Sequence, residues 1–236
     1  MYIVTLLNTR LVNDAIKTKA LSFLSPEEVQ RYGRFRHASD ANLFLFGRYL
    51  ARCLVAHVSA RRPEDVVILV DGIATKPYES KHVIEFSISH SGTFVAVAVS
   101  RRPVGIDVQV HDQEQTDVFD SFFTTEEKDY AHQSFKSFYR LWTSVESLAK
   151  ITGLGFNEAL MNRTPYFEGD LRGYTFNQTS YYISALIQTE DLTLSVVAPE
   201  DAVFRKCSLT RAGLLTGIDT DELSLEVYSG SVDSDV

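Results

Sequence analysis

The sequence has 236 residues, 44% of them hydrophobic, which is enough for a sizeable core and for one or two domains. Its net charge of -8 is uneven, because residues 213–236 hold six acids and no lysine or arginine, leaving 23 basic and 25 acidic residues elsewhere. A nearly neutral body with an acidic end argues against a nucleic-acid binder. The two cysteines lack the spacing of metal ligands, and the N-terminal residues do not have the pattern of a secretory leader. The longest apolar run is too short for a bilayer. We therefore expect a cytoplasmic protein without a membrane partner.

The first hundred residues predict helices followed by strands. Ser25, followed by Pro26 and two glutamates, is typical of a helix start, since serine caps the first turn and proline is tolerated at its first position. Residues 89–92 (Ser-His-Ser-Gly) are expected to form the turn between two paired strands. We expect strands at 2–7, 66–70, 83–88 and 94–99, helices at 14–24 and 40–59, and a loop at 76–78.

Residues 104–110 alternate strictly between apolar and other residues, which predicts a strand. Asp107 and Gln109 then face away from the valines and isoleucine of that strand. Gly105 is expected to leave open space beside Asp107. Taken alone, Asp107 is better explained as part of the polar face of an edge strand.

Thr124, followed by Thr-Glu-Glu, is expected to start a further helix by the same capping pattern as Ser25.

Residues 136–156 predict a long helix that ends at its glycines. Trp142, Glu146 and Lys150 follow one another at intervals of four, so the helix places them on one face. Taken alone, Glu146 and Lys150 are better explained as a solvent-exposed ion pair. A second carboxylate, Asp107 on a strand about forty residues upstream, favours a shared site instead.

The two halves of the chain offer a weak repeat of helices followed by antiparallel strands, the later ones at 181–188 and 192–198. This predicts an α+β fold of two similar subdomains in a pseudo-twofold arrangement, each a small antiparallel sheet packed with helices. We place the subdomains at 1–103 and 104–212, followed by a loosely held acidic extension at 213–236 with a short strand near 223–228. Two such subdomains can mimic a dimer within one chain, so a monomer is expected.

The motifs Gly105-Ile-Asp-Val and Trp142-Thr-Ser-Val-Glu-Ser-Leu-Ala-Lys, followed by Gly-Leu-Gly at 153–155, occur in the order seen in one enzyme family. They resemble those of the larger, two-subdomain class of 4′-phosphopantetheinyl transferases (Sfp-type). The resemblance extends back through Phe86-Ser-Ile-Ser-His-Ser, Lys76-Pro-Tyr and the helix start at Leu24-Ser-Pro-Glu, and it covers about residues 20 to 156.

The resemblance implies transfer of phosphopantetheine from coenzyme A to a serine of an apo carrier protein, with release of adenosine 3′,5′-bisphosphate. Mg²⁺ would be held by Asp107 and Glu146, with Gln109 as a further oxygen donor, since Mg²⁺ prefers carboxylates, phosphates and water. Lys150 would contact the transferred phosphate, and Glu146 or a metal-bound water would take the serine proton. The coenzyme A ligands that the resemblance implies are His90, Lys76, Arg31 and Ser89.

Three positions depart from the family pattern. Gln109 stands where a second acid is usual, and Val145 where a lysine usually precedes the glutamate. Glu28 lies in a region that is often basic, which weakens the expected contact with coenzyme A. We expect an active enzyme with an increased requirement for Mg²⁺.

Two other functions fit parts of the sequence. A non-catalytic relative that binds coenzyme A or a carrier protein would explain the missing acid at position 109. A serine hydrolase would use Ser89 or Ser91 with His90 and Asp107, but neither serine lies in a Gly-x-Ser-x-Gly elbow.

The carrier protein itself cannot be identified from the sequence. The larger class often serves secondary metabolism, so a peptidyl carrier of non-ribosomal peptide, siderophore or polyketide synthesis is preferred over a fatty-acid carrier. Carrier proteins are acidic, and two groups of arginines are candidates to receive one: Arg31, Arg34 and Arg36, or Arg48 and Arg52. The alternative is that these arginines only cap and solvate their helices.

Overall fold

The computed structural model describes residues 2–70, 77–81, 83–112, 122–153 and 162–199, and it also gives the backbone strands at 202–207 and 225–232. The helices in these ranges are α1 (Asp14–Ser22), α2 (Pro26–Tyr32), α3 (Ala38–Ser59), α4 (Thr125–Ala131) and α5 (Phe135–Thr152). The strands are β1 (Tyr2–Asn8), β2 (Ile68–Val70), β3 (Pro77–Glu79), β4 (Glu85–Ser91), β5 (Phe94–Ser100), β6 (Gly105–Val110), β7 (Arg163–Phe167), β8 (Leu171–Phe176), β9 (Thr179–Gln188), β10 (Leu192–Ala198), β11 (Ala202–Cys207) and β12 (Leu225–Val232).

The strands form two five-stranded antiparallel sheets and one small hairpin. The first sheet has the order β11-β12-β1-β5-β4, and the second sheet has the order β6-β10-β9-β8-β7. Strands β2 and β3 pair separately. The predicted α+β class, with antiparallel sheets packed against helices, is confirmed.

The layers are stacked in the order α3, first sheet, second sheet, α5. One core cluster lies between α3 and the first sheet, a second between the two sheets, and a third between the second sheet and α5. Strand β1 contributes to two of them, because Ile3 and Leu7 face α3 while Tyr2 and Val4 face the second sheet. A strand covered on both faces explains why this segment is apolar almost throughout.

The division into subdomains at 103/104 and 212/213 stays a prediction. Strands β11 and β12 extend the first sheet, although they come last in the described chain. The strand expected near residues 223–228 is present as β12, where it pairs with β1.

The two helix starts recognised in the sequence are both capping boxes. The Glu28 carboxylate accepts the Ser25 N–H at 3.0 Å, and the Glu127 carboxylate accepts the Thr124 N–H at 2.9 Å. In both boxes the capping hydroxyl accepts the N–H of the glutamate in return. Both glutamates are also buried, which the capping pattern alone does not require.

Several local predictions were wrong. Residues 89–91 belong to strand β4 and not to a turn, and residues 77–79 form strand β3 and not a loop. Arg48 and Arg52 are buried against Glu28 and do not lie on the surface. None of the helices in the described ranges has the length and hydrophobicity needed to cross a bilayer.

Candidate active site

Three serines of β4 form hydrogen bonds with the free edge of β6. Because side chains on one face of a strand recur at every second residue, the hydroxyls of all three serines face the backbone of β6. Their oxygens accept the N–H groups of alternate residues of β6: Ile106 to Ser87 at 3.2 Å, Val108 to Ser89 at 3.3 Å and Val110 to Ser91 at 3.0 Å. The edge strand of the second sheet is thereby held to the edge strand of the first.

Gly105 lets helix α5 lie directly on β6. A Cβ atom at this position would be 1.9 Å from the carbonyl oxygen of Ser147. The expectation of open space beside Asp107 was therefore wrong, because the backbone of α5 fills that space. This close approach brings Lys150, one turn further along α5, within reach of Asp107.

The Asp107 carboxylate is held by three donors and is only 2% exposed. Its Oδ1 atom accepts the Ser89 hydroxyl and the Lys150 ammonium, each at 2.6 Å. Its Oδ2 atom accepts the Gln109 amide nitrogen at 3.1 Å. Lys150 thus pairs with a buried strand carboxylate, which replaces the explanation of Lys150 as half of a solvent-exposed helix pair.

Glu146 lies half-buried on the same face of α5 as Lys150. Burial raises the pKa of its carboxyl group, the charge of Asp107 raises it further, and Lys150 opposes both effects. Asp107 and Glu146 are therefore close enough to repel each other. Two carboxylates and one ammonium leave this site with a surplus of negative charge.

Such a donor set fits Mg²⁺. In the described part of the chain no three His, Cys, Asp or Glu side chains form a metal-ligand cluster. Asp107 and Glu146 nevertheless offer two mutually repelling carboxylates, and Mg²⁺ commonly takes one or two carboxylates and completes its shell with phosphates and water. The amide of Gln109 is engaged elsewhere, because its nitrogen donates to Asp107 and its oxygen accepts the Ser91 hydroxyl at 3.3 Å.

A cavity of about 410 Å³ lies beside α2, α3 and β4, on the other face of β4 from Asp107. Its lining contains two of the predicted coenzyme A ligands, Arg31 and His90, and also Pro77, the neighbour of Lys76. Lys76 itself lies outside the described residues. The full lining is Arg31, Phe35, Asp40, Leu43, Phe44, Gly47, Arg48, Pro77, Ile88 and His90.

Ser89 and His90 point to opposite faces of β4, because they are adjacent on a strand. Ser89 bonds to Asp107, whereas His90 lines the cavity. His90 keeps an exposed edge, but the surrounding protein lowers its pKa and the nearby Lys150 ammonium lowers it further. A Ser-His-Asp triad is not assembled from these residues, which removes the structural basis for a serine hydrolase.

Sequence reasoning missed two features of this region. The alternation Ser87-x-Ser89-x-Ser91 was a usable signal for a strand with a polar edge face, but the turn-like composition obscured it. Arg48 was seen only as a surface charge, although it lines the cavity with its guanidinium 5.4 Å from the centre of the Phe44 ring.

Comparison with protein-family models gives two consecutive matches. Residues 14–102 match the model described as 4′-phosphopantetheinyl transferase, N-terminal. Residues 103–193 match the model of the 4′-phosphopantetheinyl transferase superfamily. The boundary between the matches falls just before the strand that carries Asp107.

Curated relatives agree with these matches. The chain is 29% identical over 143 residues to the 4′-phosphopantetheinyl transferase Sfp of Bacillus subtilis, which covers 58% of this chain and 63% of Sfp. It is 27% identical over 175 residues to the transferase psf-1 of Bacillus pumilus, covering 72% of this chain and 75% of the relative. It is 29% identical over 156 residues to the L-aminoadipate-semialdehyde dehydrogenase-phosphopantetheinyl transferase of Xenopus laevis, covering 57% of this chain and 51% of the relative.

The aligned part thus spans less than two thirds of Sfp and about half of the Xenopus protein. The two family-model matches, together with these relatives, confirm the resemblance seen in the motifs. This chain belongs to the 4′-phosphopantetheinyl transferase superfamily, and its relatives are of the Sfp-like type.

Proposed function

We propose that this protein is an enzyme that transfers the 4′-phosphopantetheine group of coenzyme A to a serine of an apo acyl or peptidyl carrier protein, releasing adenosine 3′,5′-bisphosphate. The observation that carries the proposal is the ion pair of Asp107 and Lys150 where α5 crosses β6, on the face of α5 that also carries Glu146. Two carboxylates with one amine suit a reaction in which phosphate charge must be bound and a hydroxyl proton removed.

Asp107 and Glu146 would hold Mg²⁺. Gln109, predicted as a further oxygen donor, would act on the metal only through Asp107, because its amide is already engaged with Asp107 and Ser91. When bound, Mg²⁺ would offset the charge that develops on the 5′-phosphate of the leaving nucleotide as the pyrophosphate bridge breaks. Ser89 and Gln109 would keep the Asp107 carboxylate oriented through their hydrogen bonds. The use of Gln109 in place of an acid favours a reaction that needs more Mg²⁺ than one with three carboxylates.

Glu146 would accept the proton of the incoming serine hydroxyl. Its raised pKa makes it a stronger base than an ordinary carboxylate while it stays ionised above that pKa. The serine oxygen would form a bond to the phosphorus next to pantetheine. The bond from that phosphorus to the bridging oxygen of the pyrophosphate would break, and this oxygen would leave on the 5′-phosphate of adenosine 3′,5′-bisphosphate. Lys150, whose side chain is 26% exposed, would contact the transferred phosphate from the open side of the site.

The nucleotide end of coenzyme A would enter the cavity beside α2, α3 and β4. Arg31 and His90 line that cavity, and Lys76 precedes the lining residue Pro77 in the sequence. Ser89 was predicted as a further ligand, and its hydroxyl is already used on Asp107 and the backbone of β6. Its part in binding coenzyme A would therefore be indirect.

The carrier protein would dock on exposed arginines. Arg31, Arg34 and Arg36 are exposed around the end of α2, whereas the buried Arg48 and Arg52 are unsuitable. We keep a peptidyl carrier of secondary metabolism as the first candidate, and a cytoplasmic monomer as the working form of the protein. Size-exclusion chromatography with light scattering tests the monomer.

The decisive test is the intact mass of apo carrier domains after incubation with this protein, coenzyme A and Mg²⁺. We expect a mass gain of one phosphopantetheine group on at least one carrier from a panel of peptidyl, polyketide and fatty-acid carriers. Lys150→Met should lower the initial rate at least about a hundredfold. Lys136→Met is the matched control, since Lys136 lies on the same helix but pairs with Glu190.

Two outcomes would count against the proposal. No mass gain on any carrier, together with measurable binding of coenzyme A, would favour a non-catalytic binding protein. Equal rates for Lys150→Met and Lys136→Met would remove Lys150 from the reaction.

A further inference from the structure

The hydrogen bonds of the Asp107 carboxylate limit how a metal ion can bind to it. The Oδ1 atom accepts both the Ser89 hydroxyl and the Lys150 ammonium at 2.6 Å, so both lone pairs of this oxygen are used. The Oδ2 atom accepts the Gln109 amide nitrogen at 3.1 Å and keeps one lone pair. Because Asp107 is buried, a metal ion must either replace one donor or share a single negative charge with the ammonium.

Two of the three donors to Asp107 are held in place by further hydrogen bonds. The Ser89 hydroxyl also accepts the Val108 N–H at 3.3 Å, and Ser89 is buried. The amide of Gln109 is fixed at its other end, because the Ser91 hydroxyl donates to its oxygen at 3.3 Å. Moving either side chain would therefore break two hydrogen bonds.

Lys150 is the donor that can leave most easily. Among the described residues its ammonium forms a hydrogen bond only to Asp107, and its side chain is 26% exposed. A lysine carries a strongly hydrated charge on a flexible four-carbon stem, so the ammonium can move to water or to a phosphate. The buried carboxylate that it leaves then needs another cation, because an uncompensated buried charge is unfavourable.

Two cations on the Asp107 carboxylate would oppose each other. An ammonium and a metal ion on one carboxylate lie within a few Å, and their repulsion is strong away from bulk water. Mg²⁺ also requires a near-octahedral shell of oxygen atoms at about 2.1 Å, which an ammonium cannot join. Glu146 adds a second carboxylate on the Lys150 face of α5, and this favours the ion of higher charge.

We infer that Lys150 and a divalent cation compete for the carboxylate of Asp107, so that Lys150 leaves Asp107 when the metal ion binds. The inference rests on the magnesium site of the proposed function, and it gives Lys150 a second role beside its contact with the transferred phosphate. The ammonium becomes available to that phosphate only when Asp107 has another cation. Binding of the metal ion therefore precedes the contact between Lys150 and phosphate.

The test measures Mn²⁺ binding to the full chain without coenzyme A, by electron paramagnetic resonance of the unbound ion. Mn²⁺ takes the same oxygen ligands as Mg²⁺. We expect Lys150→Met to bind Mn²⁺ about tenfold more tightly than wild type, because the competing charge is removed. Lys136→Met is the matched control, since Lys136 lies on the same helix but pairs with Glu190, and its affinity should match wild type.

The salt concentration separates direct competition from a general effect of charge. Salt screens exposed charges strongly and buried pairs much less. The tighter binding of Mn²⁺ by Lys150→Met should therefore persist when NaCl is raised from about 0.1 M to about 0.5 M. If the gain disappeared at the higher concentration, the inference would be overturned.

Other outcomes distinguish the inference from the proposed function. Equal or weaker Mn²⁺ binding by Lys150→Met, or no binding by either protein, would overturn the inference, whereas the mass gain of carriers modified by wild type is measured separately. Tighter binding without a mass gain on any carrier would support the inference and count against the proposed function. Lys150→Gln, checked by thermal unfolding, is the second variant if methionine prevents folding. Its amide can donate to Asp107 but carries no charge, so the same gain in Mn²⁺ affinity is expected.

Discussion

Two buried glutamates occupy equivalent places in the two halves of the molecule and differ in their partners. Glu28 and Glu127 each close a capping box at the start of a seven-residue helix that precedes a long one. Glu127 is met by one arginine, Arg163, in a two-bond pair in which both side chains are 0% exposed. Glu28 is shared by Arg48 and Arg52, so the same local motif carries one positive charge more.

The number of arginines on each glutamate distinguishes a structural ion pair, Glu127–Arg163, from a cluster around Glu28 that has charge available for binding. The Glu127–Arg163 pair is balanced in charge and closed to solvent, and both nitrogens in it have acceptors. In the Glu28 cluster, the Nη1 atom of Arg48 has no hydrogen-bond partner among the described residues, and Arg48 lines a cavity. A buried charge by itself is therefore poor evidence for function, whereas a buried charge without a full set of partners is better evidence.

The largest expected effect tests this comparison directly. Arg163→Met strips a fully buried carboxylate of its guanidinium and should lower the free energy of unfolding by about 3 to 5 kcal/mol. Arg48→Met leaves Arg52 on Glu28 and should cost about 1 kcal/mol. Urea unfolding followed by circular dichroism measures both. Similar losses for the two variants would show that the two clusters are equally closed.

A second contrast concerns how each long helix meets its sheet. In the first half the glycine is on the helix: a Cβ on Gly47 would lie 3.1 Å from a methyl carbon of Ile88. In the second half the glycine is on the strand, and a Cβ on Gly105 would lie 1.9 Å from a backbone oxygen of Ser147. A side chain can turn aside, but a helix backbone cannot.

Gly105→Ala should therefore lower the free energy of unfolding by about 3 kcal/mol and move Lys150 away from Asp107, so the transfer rate falls as well. Gly47→Ala should stay within about 1 kcal/mol of wild type, because alanine also favours the helix. Urea unfolding and initial rates measure the two properties. If Gly105→Ala were as mild as Gly47→Ala, the close crossing of α5 over β6 would be wrong.

The hydrogen bonds between the serines of β4 and the backbone of β6 predict a smaller effect. Ser89→Ala removes a donor from Asp107 and leaves the Val108 N–H without its acceptor, so a loss of about 2 kcal/mol is expected. Of the bonds between β4 and β6, Ser87→Ala removes only the one from the Ile106 N–H, and it should lower the free energy of unfolding by about 1 kcal/mol. Only the first variant should lower kcat. A reduced kcat in both variants would mean that all the bonds between β4 and β6 affect the rate, and that Ser89 does not act through Asp107 alone.

The smallest effect is a dependence on pH in the second half. His111 is half-buried, stacked on Tyr139, and bonded to the Glu190 carbonyl and the Thr193 hydroxyl. Burial lowers its pKa, so the folded state prefers the neutral ring. Its contribution to stability is complete above the unfolded pKa of about 6.5 and is lost as the pH falls below it.

We therefore expect the urea midpoint of wild type to fall more between pH 7.5 and pH 5.5 than the midpoint of His111→Phe. The difference between the two slopes isolates this residue from the other histidines. Parallel slopes would show that His111 does not bind fewer protons in the folded state.

Local signals in the sequence predicted local structure well. Ser25 and Thr124 marked two helix starts, and the spacing of Trp142, Glu146 and Lys150 gave the correct face of α5. Strands covered on both faces, such as Phe94–Ser100, were recognised because they are apolar throughout. These elements depend on neighbouring residues in the chain.

Features that depend on distant residues were missed. The sequence predicted open space beside Gly105, because no residue near it in the chain indicates that the backbone of α5 packs against it. Arg48 was read as a surface charge, because its partner Glu28 is on another helix. Strand β7 was missed partly because Pro165 argues against a strand, and the sheet tolerates it there because β7 is at an edge.

The strand order of the first sheet affects folding during synthesis on the ribosome. Strand β1 is paired on one side with β5 and on the other with β12, whose residues emerge from the ribosome about 200 positions later. Until then, one edge of β1 is left open on the nascent polypeptide, and an open edge invites pairing with another chain. A stop codon between residues 200 and 224 should therefore produce insoluble protein, although Asp107, Glu146 and Lys150 would already have been synthesised.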